Sequence, residues 1–258
     1  MTDKTARKWP KQFPALNAEQ MAISDDFMKY WHEVLPKRFG VVDAFNHGYP
    51  AKTARRNFIR CLEIGAGLGE HLEFETLTAE QAANYYAVDI RPNMIEELRK
   101  RHPEVNAFVG DCQQRLDFPD GYFDRILAIH VLEHLPDLPA AVREIFRLCD
   151  NASGMVQVLL PCEGSPAYTL ARRISAQRIF EKRYKQSYKW FIEREHINVP
   201  NEIIDELAQY FEIERRSYFP IPIPQLWCNL VVALNLRPKA QHPEADGSQQ
   251  SIGARRRQ

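Results

Sequence analysis

Three glycines at alternate positions stand in the run Leu62-Glu63-Ile64-Gly65-Ala66-Gly67-Leu68-Gly69. Glycine turns a backbone tightly at positive φ and lets a ligand approach where a Cβ would clash. The apolar run before it predicts a strand that ends in this turn and leads into a helix. The spacing is GxGxG; Glu70 stands where a dinucleotide fingerprint would continue, and no Lys-Ser/Thr pair follows to cradle a triphosphate. Any tight strand-to-helix turn could use such glycines, so the acids downstream matter. Asp89 closes the next apolar run, where a carboxylate can accept from two ribose hydroxyls. Asp111, in Gly110-Asp111-Cys112, follows a third run. There it could receive an exocyclic adenine amino group while the Cys112 amide faces a ring nitrogen. Each acid alone could be a solvated loop residue or a helix cap. At successive strand ends they point to a nucleoside-bearing ligand at the carboxyl edge of an open sheet.

The second constellation is His130-Val131-Leu132-Glu133-His134. It matches the HxxEH pattern of zinc hydrolases, in which both histidines share a helix face. Here they straddle an expected strand end, with Pro136 and Pro139 close behind. No metal is therefore expected. His130 is the better candidate for chemistry, and His134 is expected to pack or to cap the loop. His196, in Arg194-Glu195-His196-Ile197-Asn198, is a further candidate general base, with capping of a helix end as the plainer reading.

These residues need elements to hold them. Strands are predicted at 58–64, 84–90, 105–110, 122–130 and 154–160, with helices at 69–77, 92–102 and 137–149 between them. Such alternation argues for a parallel sheet covered on both faces. Residues 165–196 break it with a long helical, basic and aromatic stretch. A helix from Asn201 to Phe211 and strands at 211–219 and 226–236 follow, joined through Pro220, Pro222 and Pro224. Residues 21–47 carry Phe27, Tyr30, Trp31, Val34 and Leu35 at helical spacing, with Pro36 ending that helix or starting another. These helices, with His32, are expected to pack on the sheet. Residues 1–20 are expected to form a loose arm, and 238–258 a disordered tail. The expected plan is a single domain over 21–237, with a helical cap at 21–50 and a basic aromatic insert or lid at 165–198.

Glu63-x-Gly65-x-Gly67-x-Gly69, Asp89, Gly110-Asp111 and the run from Ile129 to Pro136 resemble the class I S-adenosylmethionine-dependent methyltransferases, in their small-molecule branch. The resemblance covers about residues 58–161. It implies an α/β, Rossmann-like fold with seven strands in the order 3-2-1-4-5-7-6, the seventh antiparallel. It also implies S-adenosylmethionine as cofactor. The turn through Gly65, Ala66, Gly67 and Gly69 would meet the methionine part, with Glu63 orienting the amino group. Asp89 would hold the ribose, with Ile90 beside it also contacting the cofactor, Asp111 and Cys112 would hold the adenine, and His130 would lie beside the sulfonium.

Composition narrows the acceptor. Lys plus Arg is 34 and Asp plus Glu is 34, so the chain is formally neutral, which disfavours a uniformly basic nucleic-acid binder. No box of Asp/Asn-Pro-Pro-aromatic type follows the fourth strand, which lowers base and amide methylation. Within 165–196 stand eight basic residues: Arg172, Arg173, Arg178, Lys182, Arg183, Lys185, Lys189 and Arg194. Three acids oppose them, and six aromatics are interleaved: Tyr168, Phe180, Tyr184, Tyr188, Trp190 and Phe191. The segment reads as a lid for an anionic acceptor, a surface resting on anionic lipid, an RNA contact, or a helix with a charged outer face over an aromatic core.

The expected activity is O-methylation of a small acceptor, a sugar or a lipid-linked or anionic metabolite, with His130 and His196 as the candidate catalytic residues. The alternatives are C- or N-methylation of a quinone or other metabolite, a non-catalytic cofactor-binding partner subunit, and an NAD-dependent oxidoreductase. Five scattered cysteines without CxxC spacing, no apolar leader and no long apolar run lead to a cytoplasmic expectation.

Overall fold

A computed structural model describes residues 8–38 and 40–240. The first seven residues of the expected arm and residues 241–258 of the expected tail lie outside the described residues, as do the side chains of Trp31, His32, Val34 and Leu35.

Seven strands form one sheet: β1 (Cys61–Ile64), β2 (Tyr85–Asp89), β3 (Asn106–Val109), β4 (Arg125–Ile129), β5 (Met155–Pro161), β6 (Phe211–Phe219) and β7 (Val231–Pro238). Their order is β3-β2-β1-β4-β5-β7-β6. The first five pair in parallel, and β7 runs antiparallel to both β5 and β6. This is the expected order and sense. The central strands are buried along their whole length, because helices cover both faces.

Alternation sorts the side chains. Leu62, Ile64, Ile126, Ala128, Val156 and Val158 join one core with α5 (Leu138–Leu148) and α9 (Pro200–Tyr210). Cys61, Tyr85, Ala87 and Leu127 face the other side, with Ile95 and Leu98 of α4 (Pro92–Arg101). Asp137 caps α5 by accepting from Ala140 N at 3.1 Å, and Pro92 sits in the first turn of α4.

Several boundaries differ from expectation. The glycine turn leads into a 3-10 turn, Glu70–Phe74, and then a short helix α3 (Ala79–Ala83) set by a Thr78/Gln81 capping box. α1 (Ala18–Arg38) continues through Pro36, and α2 spans Gly40–Thr53. β7 begins at Val231, because Asn229 first ties the Pro-rich loop together. Its side chain donates to the Ile223 and Gln225 carbonyls and accepts from Ile221 N. Leu226–Cys228 is therefore a 3-10 turn rather than the start of a strand.

The helical cap divides. α2 packs on the sheet as expected, with Tyr49 against Ile129, Leu159 and Val231. α1 instead packs on the insert, which forms α6 (Pro166–Ile174), α7 (Ala176–Tyr184) and α8 (Lys189–Glu195). Phe27 of α1 is fully buried among Phe180, Tyr184, Tyr188 and Phe191. The aromatics of the insert thus make its own core, while Arg173, Arg178, Lys182 and Lys185 are exposed. The arm is tied down over its described part: Lys11 N donates to Pro136 O at 2.9 Å, and Lys11 Nζ bonds Ile197 O and Glu202.

Candidate active site

The candidate residues lie at or beside the carboxyl ends of β1 to β4, with His196 at the end of α8. β1 ends into Gly65, at φ +65°, and Gly67 follows at φ +56°; both are left-handed conformations that favour glycine. A Cβ on Gly65 would stand 2.3 Å from Val131, in the turn after β4. A Cβ on Gly67 would meet only Glu70 Oε2 within 4 Å, so that side of the turn is open to a ligand. Ala66 N donates back to Val88 O, and Leu68 N to Glu70 Oε2. Glu63 is buried beneath the turn and accepts from the Tyr85 hydroxyl at 2.8 Å; burial raises its pKa.

Asp89 ends β2, as expected, but its carboxylate is already engaged. Oδ1 accepts from Arg91 N at 2.9 Å and Arg91 Nε at 3.0 Å. Oδ2 accepts from Gly67 N and an Arg91 terminal nitrogen, both at 3.1 Å. Burial pushes this carboxyl up, but the Arg91 contacts and the Gly67 amide outweigh it and hold the pKa below the ordinary value. Four donors fill the four lone-pair directions of a carboxylate. A ribose could use Asp89 only by displacing the Arg91 guanidinium, which is 41% exposed. Ile90 is exposed beside it. Asp111 follows β3 and accepts from Gln113 N and Nε2 at 2.9 and 3.0 Å. Cys112 is buried, and burial drives its thiol up to about 12, so it packs rather than reacts.

His130 follows β4 at φ +53°, a conformation strained for any residue with a Cβ. Its Nε2 is buried without a hydrogen-bond partner, and its Nδ1 lies 3.3 Å from Glu133 Oε1. Glu133 is 1% exposed, and neither of its oxygens has a well-aligned donor. Burial raises its pKa, and the surrounding His130, His134 and His196 rings reverse that to about 2. His134, expected to pack or to cap its own loop, instead places Nδ1 2.5 Å from Glu195 O at the end of α8. His196 caps α8 in turn and lies face to edge with His134 at 5.2 Å. Its Nδ1 is 3.1 Å from Glu163, just after β5, and Glu163 is bonded by Arg172 at 2.6 Å. The two catalytic candidates therefore belong to one cluster.

Sequence reasoning missed several members. Glu163 stands at a strand's carboxyl end, like Asp89 and Asp111, and could have been found by that rule. Asn198 clamps the turn after β4 by donating to Leu132 O and Leu135 O, both at 2.8 Å. From α2 come Asp43 and His47; burial first, then His71 and His130, lower the His47 pKa to about 3, so it is neutral. These carry no local signal, because tertiary packing alone brings them to the site.

Comparison with known proteins agrees. The sequence family described as "Methyltransferase domain" matches residues 62–154. A malonyl-[acyl-carrier protein] O-methyltransferase of Halorhodospira halophila is 32% identical over 91 residues, 34% of this chain and 30% of that protein. A "probable S-adenosylmethionine-dependent methyltransferase" of Mycobacterium tuberculosis is 29% identical over 149 residues, 57% of this chain and 48% of that one. The matches thus span 30% and 48% of the length of these two relatives. Among solved structures, a TehB-like S-adenosylmethionine-dependent methyltransferase of Corynebacterium glutamicum superposes with a TM-score of 0.57 at 16% identity, over 85% of this chain and 100% of that one, a likeness of fold. Glycine turn, strand order and family match converge on one part of the chain: residues 62–154 match the methyltransferase-domain family, within a seven-stranded sheet ordered as in S-adenosylmethionine-dependent methyltransferase folds.

Proposed function

We propose that this protein transfers a methyl group from S-adenosylmethionine to a hydroxyl of a small acceptor, a sugar or an anionic or lipid-linked metabolite. The observation that carries this reading is His130, held in a strained turn at the edge that carries the glycine turn, with a buried, unpartnered Nε2. When bound, the cofactor supplies a methyl already activated on a sulfonium, so the protein has only to align the reactants and move a proton. The open side of Gly67 fits the methionine part, Asp89 the ribose, and Asp111 the adenine. His130, backed by Glu133, is the proton acceptor for the incoming hydroxyl.

The insert favours a lipid-linked acceptor. Leu170 and Ile174 on α6 are 62% and 68% exposed, and Trp227 on the neighbouring loop is 61% exposed. Arg173 and Arg178 lie exposed in the same insert. An apolar face rimmed by cations suits an anionic bilayer surface. Among the described residues no helix is long and apolar enough to cross a membrane.

Calorimetric titration with S-adenosylhomocysteine, with NAD as control, tests the first reading. Micromolar binding of the first alone, followed by transfer of labelled methyl to a component of cell extract, is the expected result. Absence of transfer with binding intact would favour the non-catalytic subunit. Co-sedimentation with phosphatidylglycerol vesicles, and not with phosphatidylcholine vesicles, tests the lipid surface; equal recovery with both would overturn it.

A further inference from the structure

Glu133 presents a problem that hydrogen bonding does not solve. Its carboxylate is buried, and neither oxygen has a well-aligned hydrogen-bond donor; the nearest is His130 Nδ1, 3.3 Å from Oε1. A buried charge in that state is costly unless a cation or a good donor set offsets it. One carboxylate oxygen of Glu133 and one ring nitrogen each of His134 and His196 lie within 4.8 Å of one another. Both histidines are oriented from behind. His134 Nδ1 faces the Glu195 carbonyl at 2.5 Å, and His196 Nδ1 faces the Glu163 carboxylate at 3.1 Å, itself fixed by Arg172. An oxygen that holds the proton on Nδ1 leaves the Nε2 lone pair for a cation, which is how ligating histidines are fixed in tautomer and direction. His134 Nε2 is already 3.9 Å from Glu133 Oε1.

We propose that Glu133, His134 and His196 bind a divalent transition-metal ion, of the class represented by Zn2+. Two imidazoles and one carboxylate suit such an ion, whereas Mg2+ and Ca2+ prefer oxygen alone. Three protein ligands leave a position for an acceptor hydroxyl or anionic group. Ligand atoms about 2.0–2.2 Å from an ion stand roughly 3.3–3.6 Å apart at the corners of a tetrahedron, so the triad closes by about 1 Å on binding. This site departs from the absence of metal expected from the sequence. It also differs from the HxxEH arrangement, because its second histidine comes from the end of α8 rather than from His130. With the ion bound, His196 is a ligand, the ion acidifies the acceptor hydroxyl, and His130 takes the proton. That division of labour rests on the methyl-transfer reading; ion binding does not.

The test is calorimetric titration of Zn2+ into the chelator-stripped 258-residue chain, with Co2+ followed in parallel by its visible absorption. One ion per chain at micromolar or tighter affinity is expected, with a Co2+ band typical of four-coordination. Glu133→Gln and His196→Ala should each weaken Zn2+ by about a hundredfold, and Glu163→Gln, which removes only the support behind His196, by about tenfold or more. Binding of S-adenosylhomocysteine, measured on the same samples, reports that each variant is folded. If Glu133→Gln loses it, His134→Asn takes its place in the comparison. No ion bound by the wild type, or equal Zn2+ affinity in the folded variants, overturns the proposal. Failure of S-adenosylhomocysteine to bind the wild type would instead sink the methyl-transfer reading and leave the ion result standing.

Discussion

Two clusters of buried charge lie in this sheet, and they are built on opposite rules. At the amino end of β4, Arg125 is 1% exposed, donates to Glu75 at 2.7 Å and to Gln157 at 3.1 Å, and lies over the Phe58 ring. Glu75 also bonds His71 at 2.7 Å, and His71 faces the His47 carbonyl at 2.8 Å. Gln157 passes the chain on to Pro50 O and Thr53 Oγ1 of α2. Within that network only Arg125 Nη1 and the ring Nδ1 of His47 lack a partner. At the carboxyl end of the same strand, His130 Nε2, both oxygens of Glu133 and Asn198 Oδ1 are all without one. The first cluster uses charge to fasten the helical cap to the sheet. The second keeps polar atoms unspent, and unspent buried polar atoms at a ligand-binding edge mark chemistry rather than architecture.

Truncation should separate the two. Arg125→Ala leaves Glu75 buried with half its partners and should cost about 3–5 kcal/mol of stability, read by urea denaturation. Cofactor affinity of the molecules that remain folded should not change. His130→Ala should do the reverse: turnover falls by about 10²–10⁴, the usual worth of a positioned base, while stability and S-adenosylhomocysteine affinity barely move. If His130→Ala weakens cofactor binding more than turnover, His130 belongs to binding.

Acid gives an independent handle on the lower cluster. Burial raises the Glu75 pKa, but His71 and Arg125 overcome it and bring it to about 2, against 4.5 for the free group. A depressed carboxylate stabilises the fold fully above its unfolded pKa and loses that contribution as pH falls through the folded value. On the order of 3 kcal/mol should therefore disappear between about pH 4.5 and pH 2. The same titration of Glu75→Gln should lack this component, and an unchanged profile would show that Glu75 does not carry it.

The sequence made the upper site legible only in part, and the reason is physical. The turn through Gly65 and Gly67, and the acids at 89 and 111, lie directly after strands, so strand pattern and spacing suffice to place them. The strand order follows from the resemblance that those residues carry. Arg91 on Asp89, Glu163 behind His196 and the clamp of Asn198 on the turn after β4 depend on which rotamer or which distant segment fills a gap. No periodicity reports that. The same limit explains α1. An aromatic stripe at helical spacing announces a buried face, but not whether the sheet or the insert will bury it. The His130–His134 motif carries only local spacing, while its partner His196 arrives from the end of α8.

Asp89 tests the site where expectation and structure meet. Asp89→Ala removes the proposed ribose acceptor together with the anchor of Gly67 N, and should weaken S-adenosylhomocysteine by about 1–3 kcal/mol in calorimetry. Unchanged affinity would show that the ribose is held elsewhere. Arg91 sharpens the same point with the smallest effect. Its guanidinium competes with the ribose for one carboxylate, so Arg91→Ala should tighten cofactor binding rather than weaken it. The pair is partly exposed and solvent-screened, worth about 0.2–1 kcal/mol, so the gain should stay below about fivefold. It should also vanish in the Asp89→Ala background, because a competitor matters only while the carboxylate it competes for is present. Weaker binding in the single variant would mean that Arg91 itself holds the cofactor, and that the fork on Asp89 is part of the site rather than a rival to its ligand.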